Sequence, residues 1–193
     1  TFGLAITVLA YSIGHYSGGQ INCAVTFGLV IAGHLNIPQA IANVVAQLIG
    51  SVCGALILKV MYPRDKDCTG GLGTNAVAEG WTQSQALIGE IMGTFTLMFT
   101  VLETAVNPLS AANRVVACLA IGLSVFLGHS VLIPITGCSI NPTRSFGPAV
   151  VESVWHAKGE PWRDMWVFWV GPLLGSAMAA GVHSAMAASV ASA

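Results

Sequence analysis

Charge is what this chain has least of. Only 8% of its 193 residues are Asp, Glu, Lys or Arg, and they nearly cancel, to a formal net charge of -1. Soluble domains carry about a quarter charged residues, so a water-soluble globule fits poorly. There is no basic face for a nucleic acid, and none is expected as a partner. The 5 cysteines (Cys23, Cys53, Cys68, Cys118, Cys138) are scattered, mostly in apolar segments, without metal-ligand spacing or a disulfide framework; the 5 histidines are equally dispersed. No metal or cofactor is expected. No Ser/His/Asp set or paired carboxylates offer a nucleophile or an acid/base pair, which argues against an enzyme. No basic stretch precedes the first apolar run, so no secretory leader is expected.

What is present is hydrophobic length, with 54% of residues apolar. A membrane crossing needs ~20 such residues, and four stretches supply them: 38–62, 84–105, 114–135 and 166–187. Residues 1–16 are apolar but short. Gly50 and Gly54 in the first full stretch, like Gly171 and Gly175 in the last, would allow close helix contact. Residues 63–83 form the longest polar segment, with Arg64-Asp65-Lys66-Asp67 followed by Gly70, Gly71 and Gly73, and read as an extramembrane loop. Residues 107–113 read as a short connection and 152–164 as a polar loop. Trp162, Trp166 and Trp169 resemble an interfacial belt.

One phrase occurs twice. Residues 17–28 read Ser-Gly-Gly-Gln-Ile-Asn-Cys-Ala-Val-Thr-Phe-Gly, and residues 136–147 read Thr-Gly-Cys-Ser-Ile-Asn-Pro-Thr-Arg-Ser-Phe-Gly. Gly18/Gly137, Ile21/Ile140, Asn22/Asn141, Phe27/Phe146 and Gly28/Gly147 coincide without a gap, and Gly3-Leu4 aligns with Gly122-Leu123 at the same offset. Taken alone, each copy could be a surface turn before an interfacial helix. Duplication within an apolar chain instead points to a transporter or channel, with its site where the repeats meet. Pro142 suits the first position of a helix and Asn141 its cap, so half-length helices are expected at 22–32 and 141–151. Arg144 would cost at least ~3 kcal/mol at membrane depth and should therefore face a wet cavity.

Each repeat holds an odd number of spans, so the two must cross the membrane in opposite directions, with the half-helices entering from opposite faces. Their positive N-terminal ends would then meet near the midplane, Asn22 against Asn141. Each asparagine can cap its helix with one side-chain atom and offer an amide N–H to the lumen. A single-file water would turn its oxygen to both amides and its hydrogens outward, which breaks a proton's donor chain, while the dipoles repel cations. A neutral permeant that both donates and accepts hydrogen bonds suits such a site; an ion does not.

These paired motifs, the duplication and the span count resemble the aquaporin (major intrinsic protein) family, whose signature is Asn-Pro-Ala twice. The resemblance covers the chain from Thr1. It implies an all-α membrane protein, an inverted repeat of three spans plus one half-helix each: residues 1–62 with the first span missing, the 63–83 loop, the second repeat over 84–187 and a tail at 188–193. A chain without its first helix is expected not to conduct alone. The first motif here reads Asn22-Cys23-Ala24 and the second Asn141-Pro142-Thr143, so both asparagines are kept while a proline and an alanine are replaced. By the same resemblance the constriction falls on Phe2, His129, Cys138 and Arg144, the quartet of the water-selective subgroup, with Cys138 lumen-facing and open to mercurials. Ser145 stands where glycerol facilitators carry an aspartate, and Ala149, Phe168 and Trp169 also match water channels. Glu90, followed by Gly93 and Thr94, resembles the buried glutamate that supports the half-helix loop. The function implied is a passive water channel in a lipid bilayer, a multi-pass homotetramer. Two rivals are a broader pore for glycerol, urea, ammonia or peroxide, disfavoured by His129 and Ser145, and a membrane-junction protein using the 63–83 loop as its contact surface.

Overall fold

The computed structural model describes residues 1–69, 71–155 and 160–192. Gly70, part of the 152–164 loop and the last residue of the tail lie outside them. Every regular element among the described residues is helical. Helix α1 (Phe2–Ser17) stops at Gly18, whose left-handed φ of 80° lets its N–H close on the Gly14 carbonyl. Helix α2 (Cys23–Ile31) is a half-span of 9 residues. Helix α3 (Ile37–Met61) begins with Pro38 in its first turn and an Asn36 cap. Helix α4 (Gln83–Val101) opens on a reciprocal capping box between Thr82 and Gln85. Helix α5 (Ala117–Thr136), half-span α6 (Pro142–Trp155) and α7 (Met165–Ala191) complete the order. The connection expected over 107–113 is itself helical: a widened turn at Leu102–Val106 leads into tight turns at Pro108–Val116, capped by Asn107.

Four stretches are long and apolar enough to cross a membrane: Ile37–Met61, Gln83–Val106, Pro108–Thr136 and Met165–Val190. On α3, Ile41, Val45, Ile49 and Val60 stay exposed, as a lipid-facing surface permits, because a helix satisfies its interior backbone N–H groups internally while its first turn needs other partners. The helices pack as exchanged pairs. Half-span α2 lies on α7, half-span α6 lies on α3, and α1 packs on α5, so each half-helix leans on the full span of the other repeat. Missing side chains set these distances. A Cβ on Gly3 would lie 2.5 Å from the Gly122 carbonyl oxygen, and one on Gly122 would lie 2.5 Å from that of Gly3. Gly28 faces Ser176 of α7 and Gly147 faces Ser51 of α3 in the same way.

The two expected glycine pairs behave differently. Gly171 and Gly175 press α7 onto α4, where a Cβ would come within 2.7 Å of the Glu90 Cβ and 2.2 Å of the Ile91 oxygen. Among the described residues nothing lies within 4 Å of a Cβ built on Gly50 or Gly54, and both line a cavity between α1 and α3.

The 63–83 loop departs further from expectation, because its second half turns into the protein. Leu72 and Asn75 are buried. Asp67 accepts from the Thr69 N–H and hydroxyl and from the Leu72 N–H, and Asp164 accepts from Gln83, the Val77 N–H and Arg163. Burial alone would raise both carboxyls, but these donors outweigh it and hold Asp67 and Asp164 below the ordinary carboxylate value of 3.8.

A depressed folded pKa means this anchoring is complete above the unfolded value and is lost as pH falls through the folded one. Hydrogen exchange of residues 71–77, corrected for intrinsic rate, should therefore be level above ~pH 5 and accelerate below 3.8. Loosening toward alkaline pH would contradict the assignment. At the α4–α7 contact, Gly175→Ala should destabilise by about 1–3 kcal/mol through overpacking, read as a lower melting temperature in detergent. An unchanged melting temperature would refute the tight contact.

Candidate functional site

The repeated phrases meet tip to tip. The Asn22 Oδ1 accepts from the Ala24 and Val25 N–H groups at 2.9 and 3.4 Å, and the Asn141 Oδ1 accepts from the Thr143 N–H at 3.0 Å. Each amide nitrogen crosses to the opposite loop: Asn22 Nδ2 donates to the Ile140 carbonyl and Asn141 Nδ2 to the Ile21 carbonyl, both at 2.9 Å. An amide NH₂ carries two hydrogens, so each asparagine keeps one beyond this clasp. Backbone conformation repeats as closely as the bonds. Left-handed φ values of 80°, 58° and 50° at Gly18, Gly19 and Ile21 answer 71°, 55° and 45° at Gly137, Cys138 and Ile140. A β-branched residue in that region is strained by roughly 1–3 kcal/mol and persists only where its surroundings hold it.

Glu90, fully buried on α4, holds the second loop. Its carboxylate accepts from the Thr136 hydroxyl at 2.7 Å, the Ser139 N–H at 2.9 Å and the Ile140 N–H at 2.6 Å. Gly93, one turn on, lets Ile140 approach, since a Cβ there would lie 2.8 Å from the Ile140 Cγ2. Thr94 is buried, with its hydroxyl unpartnered among the described residues.

Of the four residues expected at the constriction, the structure brings three together. The Phe2 ring stacks on His129 with centroids 4.6 Å apart and planes 19° from parallel, and the Arg144 Cζ stands 5.2 Å from the Phe2 centroid. The His129 Nδ1 lies 2.8 Å from the Val125 carbonyl. A carbonyl can only accept, so Nδ1 carries the proton and Nε2 is an acceptor in the neutral ring. Arg144 donates to the Gly73 carbonyl at 2.7 Å and the Gly137 carbonyl at 3.4 Å. Among the described residues His129 Nε2 and Arg144 Nε are buried without a protein partner.

Cys138 is the correction. On a left-handed backbone it is 0% exposed and belongs to the apolar cluster with Val125, Leu132 and Ile140. A mercurial in the lumen therefore does not meet it. Ser145 is likewise buried, bonded between Asn75 and Ser139. Ala149 and Phe168 pack together in a second cluster with Trp169 at its edge, as core rather than lining.

Gly73 and Asn75 are participants the residue order did not mark, and Thr143, expected in the second motif, finds a partner that order did not foretell. Gly73 supplies the shorter bond to Arg144, Asn75 ties the loop to the Thr136 carbonyl at 2.8 Å, and the Thr143 hydroxyl accepts from the Cys23 N–H at 3.2 Å. The glycine cluster around Gly73 marked a tight turn but not its direction. Asn22, Asn141, Gln20, Phe2, His129 and Arg144 all line one cavity of about 1480 Å³, which continues between α1 and α3.

Glu90→Ala would orphan three buried donors, at roughly 1–3 kcal/mol each. Thermal unfolding in detergent should show a loss of about 3 kcal/mol or more, and Glu90→Gln, which keeps one acceptor oxygen, a smaller one. Equal losses for both variants would remove Glu90 from this role.

Comparison with known proteins agrees with this architecture. The family pattern described as major intrinsic protein matches residues 1–183. Aquaporin PIP2-1 of Arabidopsis thaliana and aquaporin PIP1.1 of Vicia faba are each 43% identical over 185 residues, covering 94% of this chain and 63% of those proteins. The chain thus spans a little under two thirds of the length of these relatives. The X-ray structure of the aquaglyceroporin from Plasmodium falciparum superimposes with a TM-score of 0.83 at 21% identity, covering 93% of this chain and 77% of that one, a likeness of fold. On the strength of the matched family pattern and these relatives, the chain belongs to the major intrinsic protein, or aquaporin, family and is an all-α, multi-pass integral membrane protein.

Proposed function

We propose that this protein is a passive, water-selective transmembrane channel and not an enzyme, working as a homotetramer in a lipid bilayer with one pore per subunit. The observation that carries the reading is the crossed clasp of Asn22 and Asn141. Each oxygen is spent on a helix cap and one hydrogen on the opposite loop, so what remains to face the cavity is a donor from each side. Water at that point accepts from both and turns its own hydrogens away, and the two helix N-termini oppose a cation. The motif residues Cys23, Ala24, Pro142 and Thr143 build the backbone behind this donor pair.

Phe2, His129 and Arg144 form the selectivity filter in this reading, with Glu90 as loop support. The ring stack narrows the passage, Arg144 adds a fixed charge, and the unpartnered Arg144 Nε and His129 Nε2 offer water one donor and one acceptor. A carbon backbone finds neither the width nor enough partners. The Plasmodium structure is that of an aquaglyceroporin, and glycerol passage is an outcome of the test. The junction reading loses ground because Leu72 and Asn75 of the 63–83 loop are buried within this chain.

Stopped-flow light scattering of proteoliposomes carrying the full-length protein tests the proposal. Sucrose should drive fast shrinkage and glycerol should barely enter. His129→Gly should raise glycerol entry about tenfold, the scale of a filter losing one hydrophobic or steric contact. Cys138→Ser should leave any mercurial inhibition unchanged. Rapid glycerol entry by the parent protein would sink the water-selective reading, and no flux of either solute would sink the channel itself.

A further inference from the structure

The repeats differ at two positions beside the asparagines, and the differences meet. Cys23 corresponds to Pro142 and Ala24 to Thr143. Pro142 has no N–H and a fixed φ, which suits the first turn of a helix. Cys23, at the same place in α2, has an N–H that its own helix cannot satisfy. Cys23 and Asn22 are both 4% exposed, so the N–H has no access to solvent, and leaving it unpaired costs more than a hydrogen bond is worth. Thr143 takes it. The Cys23 N–H donates to the Thr143 Oγ1 at 3.2 Å, and the Thr143 hydroxyl donates onward to the Gln47 Oε1 at 3.2 Å.

The line continues with one polarity. Gln47 Nε2 donates to the Thr26 Oγ1 at 3.0 Å, and the Thr26 hydroxyl donates to the Gln20 Oε1 at 2.7 Å. Asn43 Nδ2 donates to that same Gln20 oxygen at 3.0 Å. The Thr143 hydroxyl accepts one bond and donates one, while the Thr26 hydroxyl accepts from Gln47 and donates by the shorter contact to Gln20, with the Asn22 carbonyl a second acceptor at 3.1 Å. With its oxygen filled from two sides, the Gln20 amide is fixed, its NH₂ is not used in this line, and Gln20 is among the residues that line the cavity.

We propose that Thr143 and Gln47 are positioning residues that hold the Cys23 half-helix by hydrogen bonding, as the proline ring holds its counterpart, and that the line they start orients Gln20 as a third amide donor in the pore. An alanine at 143 would strand the Cys23 N–H and the Gln47 oxygen together. The exchange at 23 and the exchange at 143 are therefore two halves of one device. The consequence for flux rests on the water-channel reading; the coupling between the two positions does not.

The test is a double-mutant cycle in the full-length protein, read by water permeability per reconstituted channel and by melting temperature in detergent. In the Cys23 protein, Thr143→Val, similar in shape but without a hydroxyl, should lower permeability ~threefold and the melting temperature by ~4 °C. Thr143→Ser should restore both nearly to the parent values. In a Cys23→Pro background, Thr143→Val should lose less than half as much, because the donor it served is gone. Equal losses in both backgrounds, or none in either, overturn the proposal. Should Cys23→Pro fail to fold, Ser against Val at 143 decides alone, and equal damage by both overturns it. If the parent passes no water, the channel reading falls while the melting temperatures still judge the coupling. If it passes water and the coupling is absent, only this proposal falls.

Discussion

Two helix N-termini brought together inside an apolar slab present backbone donors with no water to receive them, and the crossed amide bonds of Asn22 and Asn141 are how this chain resolves that problem. Each asparagine caps its own helix and holds the loop of the other repeat. Losing either would orphan groups on both half-helices, because the oxygens serve one repeat and the nitrogens the other. The left-handed backbone at Ile21 and Ile140 belongs to the same arrangement. It presents to the opposing amide the carbonyls that the clasp requires, against an intrinsic cost of roughly 1–3 kcal/mol per residue.

The two loops of the clasp are held by several further groups among the described residues. The second loop is braced by a buried carboxylate, Glu90, and by the Asn75–Ser145–Ser139 cluster. The first loop is braced by neutral amides and hydroxyls, Gln20, Thr26, Asn43 and Gln47. Arg144 stands on the second half-helix, held by the carbonyls of Gly73 and Gly137. A fixed cation at that depth needs a rigid polar cradle if it is to point into a cavity rather than withdraw.

Packing between the repeats works by absence. Gly3 against Gly122, Gly28 against Ser176 and Gly147 against Ser51 bring backbones close enough that a Cβ would collide. In lipid, where apolar surface gains nothing by leaving one hydrocarbon for another, such close approach is the main source of helix association. It also sets the separation of the two half-helix tips, and with it the length of the crossed hydrogen bonds.

Much of this was legible in the residue order alone. Hydrophobic length marked the spans, because the membrane's thickness leaves few other uses for such runs. The repeated phrase marked the half-helices and paired Asn22 with Asn141, because capping and a first-turn proline are local chemistry. Even the company of Phe2, His129 and Arg144 followed from family likeness. What the order could not carry was direction. Whether the thiol of Cys138 points to the lumen or the core depends on a left-handed backbone that only the meeting of the loops imposes. Whether Gly50 and Gly54 pack a helix depends on which neighbour lies across from them. Gly73 and Asn75 sat in a segment that reads as exterior loop, and they join the site because the carbonyls of the chain are the partners Arg144 finds when it is buried. Periodicity and capping act within a few residues, so they can be read along the chain; the Cys23 N–H and the Thr143 hydroxyl are 120 positions apart, and only the fold makes them neighbours.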